Sequence, residues 1–264
     1  MIKVAHESPK DIFNEVQSLT DYDYALVHLF EEDPIYLDQF KKAIAKGREV
    51  ILDNSIFELE EAFDAVKFDK WVNEIKPTWY IVPDALEQSQ KTIDQMEDWN
   101  NKGLGYEGSG KIGVVQGKSY DEIVDCYNYM NKEADVDMIA ISFDYSYYTK
   151  SCPHANKYVS WMLGRVKLLG DLLRDGIINE SIPHHLLGCG LPQEFSFYSQ
   201  YNWIYSLDTS NPVVHGIKGI EYGPQGLWNK ESQKLFELIN AELTVEQSSQ
   251  VLLNIEKFRK FTNG

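Results

Sequence analysis

The stretch that decides the fold is Glu49-Val50-Ile51-Leu52-Asp53-Asn54-Ser55-Ile56-Phe57-Glu58-Leu59, an apolar run that stops at a carboxylate, followed by a small polar turn and an aromatic. If Val50, Ile51 and Leu52 form a central strand, Asp53 emerges at its carboxyl end, where open α/β sheets and β/α barrels place their chemistry. The same event recurs along the chain. Pro83-Asp84 follows 79–82, Gln116-Gly117 follows 112–115, Gly188 to Gly190 follows Leu186-Leu187, and Asp208 follows 203–207.

Working outward, the spacing of Ile12, Val16 and Leu19 predicts a helix over 9–20, ahead of a first strand at 25–29. Further strands are expected at 49–52, 80–82, 111–115, 138–142, 185–187, 203–207 and 217–220, which makes eight. Helical stretches alternate with most of them: Pro34 to Ala45 closed by Gly47, Leu59 to Ile75 stopped by Pro77, then 88–100, 120–132 and 159–174. The chain should close with helices at 232–240 and 244–261, the second opened by a Thr244/Gln247 capping box. This alternation is that of a (β/α)8 barrel. The 264 residues would suit two small domains as well as one barrel, but no interdomain linker is evident and a single domain over 1–264 is expected.

With 43% hydrophobic residues the chain can bury a sizeable core. No apolar run reaches membrane-spanning length and the first residues lack the pattern of a signal peptide, so a soluble, cytoplasmic protein is expected. Cys126, Cys152 and Cys189 form no CxxC pair and read as reduced thiols, without a disulfide framework or structural zinc. Against 25 Lys and Arg stand 41 Asp and Glu, a net charge of −16 that repels a polyanion at long range. That argues against an extended nucleic-acid footprint and leaves a local one open. Basic clusters at Lys41, Lys42, Lys46 and Arg48, at Lys150 and Lys157, and at Lys257, Arg259 and Lys260 read as solvated helix faces in preference to a local nucleic-acid footprint. The glycines of 103–110 lack the strand-to-helix context of a dinucleotide fingerprint.

Asp53, Asp84, Asp144 and Asp208 all fall just after strands and would converge on one barrel mouth, although each taken alone could instead cap a helix. A carboxylate pair at one mouth suits retaining glycosyl transfer, one group attacking the anomeric carbon and the other exchanging a proton. His28, after the first strand, is placed to line the mouth but lacks an H-x-H partner, so a metal-dependent hydrolase is disfavoured. His184 and His185 read as structural. Tyr145, Tyr147 and Tyr148 lie in a long loop over 144–158, open to stacking on a base or to packing on the barrel rim.

The strand-end set resembles the tRNA-guanine transglycosylase superfamily, whose members exchange guanine for a 7-deazaguanine, as in queuosine formation. The resemblance rests on Asp53-Asn54-Ser55-Ile56-Phe57, on Asp84 within IVPDALE, and on Val115-Gln116-Gly117. It continues through Gly188-Cys189-Gly190-Leu191-Pro192 and Asp208-Thr209-Ser210-Asn211-Pro212, all in the family's order. It implies that Asp208 attacks C1′ while Asp53 supplies and removes the purine proton, that Asp84 and Gln116, beside Gly117, read the purine edge, and that Phe57 and Leu187 enclose the base. Gly188 and Gly190 would shape the pocket. The family's glycine pair after the fifth strand is replaced by Ser142-Phe143, with Asp144 behind, which implies an altered base pocket. No cysteine follows Cys189, so the family's zinc-binding subdomain is expected to be missing and no metal or cofactor is implied. The chain is similar to short zinc-free phage enzymes that modify DNA, which favours DNA over tRNA as partner and host cytoplasm as location if phage-encoded. The oligomeric state stays open, a homodimer included. Two other readings remain: a glycosidase or transferase acting on a free nucleoside, nucleotide or sugar, and a catalytically silent binding subunit.

Overall fold

The computed structural model describes residues 1–231 and 233–263. Eight parallel strands form one sheet: β1 (Lys3–Ala5), β2 (Asp23–Leu26), β3 (Val50–Asp53), β4 (Trp79–Ile81), β5 (Gly110–Val115), β6 (Met138–Ser142), β7 (His184–Leu187) and β8 (Ile204–Asp208). The ladder runs β1-β8-β7-β6-β5-β4-β3-β2, so the sheet curls into a (β/α)8 barrel with one seam, between β1 and β2. Asp21 bridges that seam: its N–H donates to the Val4 carbonyl at 2.9 Å and its Oδ2 accepts from the Val4 N–H at 2.9 Å.

Helices return the chain between strands: α1 (Phe13–Gln17), α2 (Val27–Glu32), α3 (Pro34–Ala45), α4 (Ile56–Leu59), α5 (Ala65–Ile75), α6 (Ser89–Asn101), α7 (Tyr120–Lys132), α8 (Ser146–Ser151) and α9 (Lys157–Arg174). A 3₁₀ turn, Pro192–Phe197, replaces a helix before β8, and α10 (Asn211–Ile217) and α11 (Val245–Thr262) follow it. Their ends obey local chemistry. Asp33 caps α3 by accepting from the Ile35 and Tyr36 amides, with Pro34 in the first turn. Thr244 and Gln247 form the expected capping box on α11.

The strands are buried on both faces, inward against the barrel interior and outward against the helices, so they carry apolar runs without alternation. Outside the sheet, Phe68 of α5 packs on Trp99 of α6 at 5.8 Å between ring centroids. Burying a side chain of that size contributes about 1.5–3 kcal/mol.

Several expectations are corrected. The eighth strand is not 217–220 but Lys3–Ala5. Ile217 ends α10, and after it Gly219 at φ +71° lets the Ile220 N–H reach back to the His215 carbonyl at 2.8 Å. The first expected strand, 25–29, lies at Asp23–Leu26, and Val27 already starts a helix. The helix expected over 59–75 begins only at Ala65; Leu59 instead ends the short α4, which the left-handed residue Glu60 terminates. The 144–158 loop contains a helix, and Tyr145 and Tyr148 pack in the core. Of the helix expected over 232–240, Ser232 lies outside the described residues and 235–238 form a 3₁₀ turn. Among the described residues no helix is long and apolar enough to cross a membrane.

Candidate active site

Because side chains alternate along a strand, Ile51 and Asp53 share one face of β3, and Ser206 and Asp208 share one face of β8. That parity turns both terminal carboxylates into the mouth of the barrel, where they line one cavity of about 330 Å³, within the size range of small-molecule sites. Asp84, Gln116, Phe57, Leu187, Gly188, Ser142 and Asp144 line the same cavity.

Asp208 is held on one side only. Its Oδ1 accepts from His185 Nε2 at 3.0 Å and from the Gly188 N–H at 3.2 Å, and Oδ2 has no hydrogen-bond donor among the described residues. His185 is itself fixed, with Nδ1 2.8 Å from the Ser206 hydroxyl. Facing a carboxylate that only accepts, Nε2 carries a hydrogen that points at Asp208. Asp53 accepts from the Tyr24 hydroxyl at 3.0 Å and from the Ser55 N–H at 2.8 Å. Ser55 sits at φ +61°, a sparsely populated conformation for a residue with a side chain, and this turn is what aims its N–H back at Asp53. The Tyr24 ring stacks on His185 at 6.0 Å with an interplanar angle of 17°. One aromatic pair therefore spans from the anchor of Asp53 to the anchor of Asp208.

Burial, reinforced by the nearby Glu58 and Asp208 carboxylates, holds Asp53 well above the ordinary carboxylate range despite its two donors. Burial likewise pushes Glu58 up to about 7 and raises Glu7 strongly, and both line the cavity. Asp84 is raised by burial although Asn54 Nδ2 donates to it at 2.8 Å and Gln116 Nε2 at 2.7 Å. The other amide atom of Gln116, Oε1, accepts from the Glu87 N–H at 2.8 Å, which fixes the orientation of the amide. Asp144 accepts from the Ser142 hydroxyl at 2.9 Å and is raised by burial. Phe57, 40% exposed, leans on Phe143 at 6.0 Å.

Three expected residues do not line the cavity. His28 is turned away because β2 ends at Leu26: it sits in α2, buried, with its ring edge-on to Phe236 at 5.7 Å. Gly117 lies beside the start of α7, where a Cβ would come within 2.9 Å of the Ile123 amide nitrogen. Gly190 acts through its carbonyl, which accepts from Asn211 Nδ2 at 3.2 Å. Gly188 combines both roles: φ +66° gives it the turn, and its N–H meets Asp208.

Four residues escaped the sequence reading. His185 was read as structural, and its alternation with Leu187 toward the interior was the available signal. Tyr24 shares the interior face with Leu26. Glu7 lies two residues past the end of β1, a strand too short to be read from sequence. Glu58, one residue past Phe57, carried no signal of its own. Among the described residues no group of three or more His, Cys, Asp or Glu side chains is arranged to hold a metal ion. The chain matches no protein-family model and no curated protein sequence.

Proposed function

We propose that the chain is a base-exchange transglycosylase that replaces guanine in nucleic acid, DNA before tRNA, with a 7-deazaguanine through a covalent glycosyl-aspartate. The observation that carries this reading is that Asp53 and Asp208 open onto one cavity, each held by its own donors. Asp208, anchored through Oδ1, presents Oδ2 to C1′. As the Oδ2–C1′ bond forms and the C1′–N bond breaks, the electron pair goes to the departing purine. Asp53, whose elevated pKa keeps its proton in place, transfers that proton to the purine nitrogen, and guanine leaves neutral. In the second half-reaction the Asp53 carboxylate takes the proton from the incoming base, whose nitrogen attacks C1′ and releases Asp208. Two inversions return the original configuration. Asp84 and Gln116, cross-linked and buried, offer acceptors to the N–H groups of the purine edge, and Phe57 and Leu187 supply apolar contact.

The test is incubation with DNA and with tRNA, each alongside labelled guanine or a labelled 7-deazaguanine. Uptake of label into DNA, together with a trapped protein–nucleic acid adduct that disappears in Asp208→Asn, is the expected result. Base exchange at wild-type yield in that variant overturns the assignment. Activity confined to free nucleosides or sugars would instead make the protein a small-substrate glycosidase or transferase.

A further inference from the structure

The chain carries a net charge of −16, yet its cavity is lined by Lys157, Lys230 and Lys234. Lys234 is already engaged: its ammonium donates to the Phe57 carbonyl at 2.8 Å and to the Glu58 carbonyl at 3.2 Å, with Glu60 at 4.0 Å. Lys157 and Lys230 are different. Neither has a carboxylate within 4.0 Å or a hydrogen-bond acceptor among the described residues, although acidic groups outnumber basic ones 41 to 25. Both lie against aromatic faces instead. The Lys230 ammonium is 3.9 Å from the centre of the Phe143 ring, and that of Lys157 is 4.9 Å from Tyr158 and 5.3 Å from Trp161. The three rings form a continuous strip, Phe143 to Trp161 at 5.6 Å and Trp161 to Tyr158 at 5.6 Å. The two lysines stand at its ends. Asn156, the cap of α9, donates to the Trp228 carbonyl and so ties the segment carrying Lys230 to the helix that begins at Lys157.

Resting on the base-exchange reading, we propose that Lys157 and Lys230 grip the backbone phosphates on either side of the extruded nucleotide, with the half-buried Trp161, set between the buried Phe143 and Tyr158 rings, meeting the strand between them. Unpaired ammonium groups supply phosphate contacts, and the accessible part of an indole tolerates any neighbouring base. A free nucleotide has phosphate on one side of its sugar only and would use one of the two cations. The remaining acidic surface repels the rest of the polymer, so the contact stays local.

The experiment measures binding, not base exchange. Anisotropy of a labelled single-stranded oligodeoxynucleotide with one central guanine is followed across a salt series for wild type, Lys157→Gln, Lys230→Gln, the double variant, and Lys132→Gln at the far end of α7. Each mouth substitution is expected to weaken binding and to make the slope of log affinity against log salt shallower by about 0.7, the value for one phosphate contact on a single strand. The double variant should lose both contributions and Lys132→Gln neither. An unchanged slope in the double variant, an equal effect in Lys132→Gln, or no binding by wild type overturns the proposal. So does displacement of the oligonucleotide by deoxyguanosine monophosphate at equal concentration, which would reveal a single-phosphate subsite. Slopes that change as expected while no protein exchanges bases would refute the catalytic reading and leave the strand rim standing, and the converse result would refute the rim alone.

Discussion

Arg165→Met provides a test that needs no substrate. Arg165 of α9 is fully buried and its Nε donates to Glu194 Oε1 at 2.6 Å, where the Tyr198 hydroxyl also donates at 2.6 Å. Its two terminal nitrogens donate to the Leu187 carbonyl at 2.9 Å and the Gly188 carbonyl at 3.0 Å. Methionine would fill much of the volume but leave Glu194 buried without its cation and the end of β7 without its donors. Breaking a buried pair from one side costs about 3–5 kcal/mol. At about 2.1 cal/mol/K per residue, a chain of this length has an unfolding entropy of roughly 0.55 kcal/mol/K, so Tm should fall by about 5–9 °C. Calorimetry at neutral pH reads this directly. Arg165→Met/Glu194→Leu should melt above the single variant, because the orphaned charge is gone. A fall of less than about 2 °C in the single variant, or a double variant that melts lower still, would refute the claim that this ion pair holds the Gly188 turn.

Three further outcomes follow from the same geometry. His185→Phe removes a hydrogen bond to a charged acceptor worth about 1.5–3 kcal/mol, so kcat for base exchange should drop roughly ten- to a hundred-fold with little change in KM. His185→Gln, which keeps a donor, should recover part of it, and equal losses in the two would count against a positioning role. Glu58→Gln removes a negative charge that helps hold the proton on Asp53, so the alkaline limb of kcat/KM, where Asp53 loses its proton, should move to lower pH. An unmoved limb would separate Glu58 from Asp53. Burial holds His184 at about 4, against 6.5 for an ordinary imidazole. Unfolding therefore takes up a proton there, and this residue's contribution is intact above about 6.5 and lost progressively as pH falls toward 4. The Tm difference between pH 7 and pH 5 should accordingly be smaller in His184→Gln than in wild type.

Much of the barrel was legible because six of its eight strands, β3 to β8, carry apolar runs with a punctuating acid, Gln or Gly at or just past the end. Lys3–Ala5 was not legible: three residues give no period, and the strand exists because β8 offers it a partner edge. The false strand at 217–220 shows the reverse error, a short stretch with apolar ends that is the close of α10 and its Gly219 turn. Strand ends located Asp53, Asp84, Asp144 and Asp208 at one opening. They did not show what holds each carboxylate. Tyr24 and His185 lie far apart in sequence, and only the ring of strands brings their side chains face to face.

Seven ladders join eight strands, so β1 is fastened by hydrogen bonds along one margin only. Asp21 is the latch on its other side. Within such a ring, thermal opening starts at the unfastened margin, and the amide protons of β1 should exchange with solvent before those of β5 or β6. Glu7 rides at the end of that stave whereas Asp53 rides on another, so each opening alters the negative charge facing Asp53 while leaving its strand in place. The latch at Asp21 thus links the mechanical firmness of the amino-terminal stave to the acidity of a group on β3.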